Sequence, residues 1–142
     1  MEDLRRLPGW RKVDFKGRVP HSEVRSGYQH ALVGLALNSS TQLGTEGSLG
    51  NTKLFEYMEA GLAVVCTNYR LWRDIVETHK CGICVDPHNV DEISEAIKYL
   101  VDHPERAIEM GKNGRNAVLH HYNWDTQKEV LLSLYASLVE KA

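Results

Sequence analysis

A chain of 142 residues with 42% hydrophobic and 25% charged content has the composition of one ordinary globular domain, able to bury roughly two-thirds of its unfolded surface. Its formal net charge of -2 gives no broad basic field, which argues against nucleic acid and anionic membrane surfaces as partners. Nothing approaches an 18-residue apolar span, and the start, Met1-Glu2-Asp3-Leu4-Arg5-Arg6, lacks a signal-peptide core, so no transmembrane segment and a cytoplasmic location are expected.

Residues 1 to 12, with Arg5, Arg6, Arg11 and Lys12 around Pro8-Gly9-Trp10, show no periodicity and read as a lead-in turn or part of an edge element. Val13 to Lys16 reads as a short strand stopped by Gly17. Pro20-His21-Ser22-Glu23 then turns into a helix capped by Ser22 and running to about Ala31. The apolar run from Leu32 to Leu37 predicts a buried strand, which opens into a polar loop over 38–51.

Gly44, Gly47 and Gly50 space that loop around Ser48, and Asn51 and Thr52 follow as candidate N-caps. Such a loop can aim free amides at a helix start, which suits an anion. On the helix that follows, Leu54, Phe55 and Met58 share one side, and Lys53, Glu56, Tyr57 and Ala60 the other. Gly61 ends it as a C′ residue would, and Ala63 to Cys66 is short, apolar and β-prone, as a central parallel strand should be. A carboxylate one turn inside a helix that starts at an anion-binding loop suits a nucleotide, with diphosphate on the amides and ribose hydroxyls on Glu56.

Beyond it, a helix is predicted near 71–78, a strand over 82–85 stopped by Asp86-Pro87, and a helix capped by Asp91 and broken at His103-Pro104. A further helix from Pro104 to Tyr122 carries Gly111 and Gly114 as interruptions, and a last one spans Trp124 to Glu140 with Leu131, Leu134 and Leu138 in an apolar stripe. The alternation of strand and helix predicts an α/β domain: a doubly wound parallel sheet of at least four strands, closed by a C-terminal helical tail.

Other chemistries fit poorly. Cys66, Cys81 and Cys84 are an odd count, and strand alternation sends Cys81 and Cys84 to opposite faces, which disfavours a redox or zinc pair. Glu46-Gly47-Ser48-Leu49-Gly50 lacks the first glycine of a nucleophile elbow. The seven histidines show no metalloprotease spacing, no D-x-D occurs, and no metal is expected. Asn38-Ser39-Ser40 fits a glycosylation sequon without other signs of secretion.

Lys53-Leu54-Phe55-Glu56-Tyr57-Met58 with Ala60-Gly61-Leu62-Ala63-Val64-Val65 resembles the K-L-F-E-Y-M-x-A-G-x-P-V-V signature in the nucleotide-binding half of retaining, GT-B-fold glycosyltransferases of group 1, or family 4. Phe15-Lys16-Gly17-Arg18-Val19, Leu71 to Val76, Cys81-Gly82 with Val85-Asp86-Pro87, Met110-Gly111, Asn113-Gly114-Arg115 and Tyr122-Asn123-Trp124 match further family motifs in the right order. The resemblance covers about residues 13 to 140 and implies a single Rossmann-like domain over 1–142. Its substrate would be a nucleoside-diphosphate sugar, whose sugar passes with retention to an acceptor hydroxyl. No cofactor or metal is implied. It further implies contacts from Glu56, from Gly47, Ser48, Leu49, Gly50, Asn51, Thr52 and Lys53, and from Gly17, Arg18 and Val19 at the nucleobase. Two positions depart from the pattern: Ser48 stands where the family has the first glutamate of E-x7-E, and Ala63 replaces a proline.

The family's N-terminal acceptor domain, the first strand of this half and its Arg/Lys pair for the diphosphate have no counterpart in residues 1–12, so the isolated chain is expected to be inactive. A non-catalytic nucleotide-binding or interaction module derived from such an enzyme is the alternative.

Overall fold

In the computed structural model, residues 2–38 and 46–139 are described. Gly44 and most of the sequon lie outside them. Three parallel strands form the sheet: β1 (Val33–Ala36), β2 (Ala63–Thr67) and β3 (Gly82–Val85), in that spatial order. Val33 pairs with Ala63 and Val64 with Gly82. Around the sheet stand α1 (Glu2–Arg5), a 3-10 turn (Pro8–Lys12), α2 (His21–Tyr28), α3 (Lys53–Glu59), α4 (Arg70–His79), α5 (Val90–Asp102), α6 (Pro104–His120) and α7 (Trp124–Val139).

The period-2 alternation of β2 builds the two halves of the core. Val64 and Cys66 point into a cluster with Leu54 and Met58 of α3, Trp72, Ile75 and Val76 of α4, and Ala117 of α6. Ala63 and Val65 point the other way, onto Ala96 and Leu100 of α5 and Ala107 of α6. All five residues of β2 are buried, as a strand covered on both faces requires.

The expected fourth strand is absent among the described residues. Val13 to Lys16 forms no strand; Phe15 packs locally instead, 5.8 Å from the Trp10 ring and beneath the Arg5 guanidinium at 5.9 Å. The run at 32–37 is a strand only over Val33–Ala36, and Leu35 remains 43% exposed because β1 is an edge. Helix α2 stops at Tyr28, short of Ala31, and starts after Pro20 without a side-chain cap from Ser22.

Asn89, rather than Asp91, caps α5, its side chain accepting from the Glu92 amide at 3.2 Å. Gly111 and Gly114 do not interrupt α6; they let it lie against its neighbours. A Cβ on Gly111 would stand 1.9 Å from the Gly61 carbonyl oxygen, so only glycine fits that crossing. Gly61 itself sits just past α3 with φ 76°, in the C′ role expected of it. Cys81 and Cys84 both pack into the α3/α4 cluster, since alternation holds only inside a strand and Cys81 precedes β3.

Candidate functional site

The segment from Glu46 to Thr52 is bound to the start of α4. Leu71 donates its amide to the Glu46 carbonyl at 3.2 Å, the Arg70 guanidinium pairs with the Glu46 carboxylate, and the Trp72 indole donates to the Ser48 carbonyl at 3.0 Å. Trp72 is fully buried, with Tyr69 set edge-on against it at 5.2 Å. Gly47, at φ 80°, lies so close to Tyr69 that a Cβ there would be 2.7 Å from the Tyr69 Cβ. Leu-Trp-Arg, read in the sequence as one helical motif among several, is thus what anchors the glycine loop.

Part of the loop satisfies itself. Gly50 donates to the Ser48 hydroxyl at 3.1 Å, Asn51 to the Ser48 carbonyl, and Lys53 to the Asn51 side chain at 3.2 Å. Asn51 therefore closes a turn onto the first residue of α3, while Thr52, the residue at the N-cap, gives no side-chain cap and turns its hydroxyl elsewhere. The amides of Gly47, Ser48, Leu49 and Thr52 find no acceptor among the described residues.

Glu56, partly buried in the first turn of α3, receives one hydroxyl on each carboxylate oxygen. Thr52 Oγ1 donates to Oε1 at 2.8 Å and Tyr28 Oη to Oε2 at 3.2 Å. Burial, followed by the charge of Glu56 and the bond to it, pushes Tyr28 up to about 12, so this phenol stays a donor. Tyr57 is raised by burial and then by Glu56, and its ring meets Tyr28 edge-on at 5.4 Å. It packs against the core instead of sharing an open polar side with Glu56.

Glu56 borders a cavity of about 440 Å³ between α2 and α3, which His21, Arg25, Gln29, Glu59 and Arg115 also line. Arg25 bridges to Glu59 at 3.1 Å, and Arg115 donates to the Glu59 carbonyl. Leu49 instead joins Phe55, Tyr122 and Trp124 at a second hollow of about 430 Å³ on the other flank of α3. Gly17 and Arg18 are exposed, and neither they nor Val19 line the first cavity. Lys53 is exposed at the head of α3.

No sequence pattern singled out Tyr28 or Arg25, which reach the site only through the packing of α2 on α3. Asn113-Gly114-Arg115, matched to the family as a motif, holds the fold together at its first two positions. Asn113 donates to the carbonyl of left-handed Lys80 at 3.2 Å, and Gly114 gives room to Met58 and Cys81. Among the described residues no cluster of three or more His, Cys, Asp or Glu side chains is placed to hold a metal ion.

Three parallel strands under two layers of helix, with a glycine loop and a helix following the first strand, define an α/β domain, the Rossmann-like half of a GT-B fold. The chain belongs to the family "Glycosyl transferases group 1", whose model matches residues 4–117.

The chain is 34% identical over 71 residues to a GDP-mannose-dependent alpha-(1-6)-phosphatidylinositol monomannoside mannosyltransferase, with the same match in two strains of Mycobacterium tuberculosis, CDC 1551 / Oshkosh and ATCC 25618 / H37Rv. That match takes in 50% of this chain and 18% of those relatives. Sucrose-phosphate synthase from Thermosynechococcus elongatus superposes on 99% of this chain with a TM-score of 0.75 at 23% identity, a likeness of fold that spans 35% of that protein. No helix among the described residues is long and apolar enough to cross a membrane.

Proposed function

We propose that this chain is the donor-binding domain of a retaining glycosyltransferase that uses a nucleoside-diphosphate sugar, and that an acceptor-binding domain completes the enzyme. The observation that carries the reading is the state of Glu56: one hydroxyl donates to each of its carboxylate oxygens, the pattern that the 2′- and 3′-hydroxyls of a ribose would present. Each carboxylate oxygen has lone pairs to spare, so ribose can join or replace Thr52 and Tyr28.

The amides of Gly47, Ser48, Leu49 and Thr52, which find no acceptor among the described residues, would receive the diphosphate. When the glycosidic bond to that leaving group breaks, negative charge grows on the phosphate oxygens, and donors already fixed in place by the Trp72 and Tyr69 contacts stabilise it without reorganising. Ser48 is short and uncharged, and its hydroxyl is already an acceptor for Gly50, so a role in sugar preference is the most it would have. The dependence of the mycobacterial relatives on GDP-mannose makes guanosine diphosphate the first nucleotide to try, with uridine diphosphate beside it.

Calorimetric titration of both into the wild-type chain and Glu56→Ala tests the reading. Loss of a hydrogen-bonded charge at about 1.5–3 kcal/mol should weaken binding roughly tenfold to a hundredfold. Binding that is unchanged in Glu56→Ala, or absent from the wild type at millimolar nucleotide, would overturn it.

A further inference from the structure

The α3/α4 half of the core holds a pair of sulfurs that nucleotide binding does not use. Cys66 on β2 and Cys84 on β3 are direct partners in the strand register, their Sγ atoms are 3.7 Å apart, and all three cysteines are free thiols. Register partners on neighbouring strands have Cα atoms about 4.8 Å apart, inside the range of roughly 4.4–6.8 Å that a disulfide spans. Cys81 is excluded from this geometry. It lies three residues from Cys84 along nearly extended chain, about 10 Å. Because Gly82 pairs with Val64, Cys81 is also displaced along the sheet from Cys66.

The two thiols differ in access. Cys66 is buried, whereas Cys84 is partly exposed on the edge strand. The hydrogen bond between the two sulfurs, in which either can donate, lowers Cys84 from the ordinary thiol range, while the same bond and then burial raise Cys66. Cys84 is the attacking sulfur and Cys66 the resolving one.

We propose that Cys66 and Cys84 form a reversible disulfide site, closed by a peroxide across β2 and β3. The Cys84 thiolate attacks one oxygen of hydrogen peroxide, the O–O bond breaks, and the departing hydroxide takes up the proton that Cys84 had released, leaving a sulfenic acid and water. Cys66 sulfur then attacks the Cys84 sulfur. The S–O bond breaks as the S–S bond forms, and the Cys66 proton leaves with the oxygen as a second water. Two thiols are oxidised by two electrons and one peroxide is reduced; a dithiol reverses the step. The bond forms one residue before Thr67, whose hydroxyl donates to the Asn38 carbonyl at 2.8 Å at the strand end next to the candidate site.

The test treats the folded chain with hydrogen peroxide, blocks remaining thiols and digests with trypsin. The expected product links peptide 54–70 to peptide 81–98, with fragmentation placing the bond at Cys84 and not Cys81; free thiols fall from three to one, and dithiothreitol restores them. Cys81→Ala keeps the link and Cys84→Ala abolishes it. Three persisting thiols, conversion of Cys84 to sulfinic acid without a link, or a bond at Cys81 would each overturn the proposal, and wild-type fragmentation alone decides if a variant fails to fold.

Discussion

At the scale of single residues, the candidate site centres on how one carboxylate is held. Glu56 is legible from sequence, because the loop glycines, the cap residues and the position of an acid one turn into a helix all bear on nucleotide chemistry. Tyr28 is not, since 28 residues separate it from Glu56 and α2 buries none of its residues, leaving no apolar pattern to announce its packing. Glu46, two residues before the position where the family carries its other glutamate, is engaged by Arg70. Tyr28→Phe removes one of the two hydroxyls on Glu56 and leaves the ring that meets Tyr57. Nucleoside-diphosphate binding should weaken about twofold to tenfold, corresponding to about 0.5–1.5 kcal/mol for an ordinary hydrogen bond, and so by less than in Glu56→Ala. Equal affinities for wild type and Tyr28→Phe, measured by calorimetry, would show that the phenol does not orient the carboxylate.

At the scale of elements, local patterns locate the central pieces well and their edges less so. The strand over 82–85 falls where the sequence puts it, because Gly82 and Asp86-Pro87 punctuate it at both ends. Gly111 and Gly114 mislead, since a helix tolerates glycine where a neighbour presses on it, and that pressure comes from residues far away in sequence. The end of α4 shows how elements are joined: His79 bonds Tyr122 at 3.2 Å and stacks on His121 at 5.4 Å, fastening α4 to the junction of α6 and α7. Burial, and then the charge of His121, lower the His79 pKa from 6.5. A depressed folded value means that the unfolded chain takes up the proton first as pH falls. Stability is therefore fully present above about pH 6.5 and declines below it, through the folded value. Thermal unfolding from pH 7.5 down to 5 should show a falling Tm in the wild type and a shallower fall in His79→Gln; parallel curves would contradict this.

At the scale of the whole molecule, the alternation of strand and helix makes the α/β class legible, and the ordered motifs locate it in a family. The number of strands is not legible in the same way. Val13 to Lys16 has strand composition, yet a strand exists only where another backbone pairs with it, and β1 keeps its outer edge unpaired among the described residues. Helix α7 extends the same point: Asn123 caps it at the Thr126 amide, but it buries no residue, and Leu131, Leu134 and Leu138 are 40%, 55% and 56% exposed. The apolar stripe read from the sequence is present and uncovered in this chain. Replacing the three leucines by glutamine should change unfolding free energy by no more than about 0.5 kcal/mol each, as surface substitutions do, and should reduce self-association in sedimentation. A large cooperative loss of stability would mean that this helix packs on the domain in solution.

The central claim, that the Glu56 carboxylate reads the ribose hydroxyls of a nucleoside diphosphate, is tested most directly by pairing ribo- with 2′-deoxyribonucleotide. Dissociation constants for guanosine diphosphate and its 2′-deoxy form should differ by about tenfold in the wild type, the worth of one charge-assisted hydrogen bond. In Glu56→Gln that preference should collapse while the deoxy form binds nearly as before. The same tenfold preference in both proteins, or no preference in the wild type, would contradict the account.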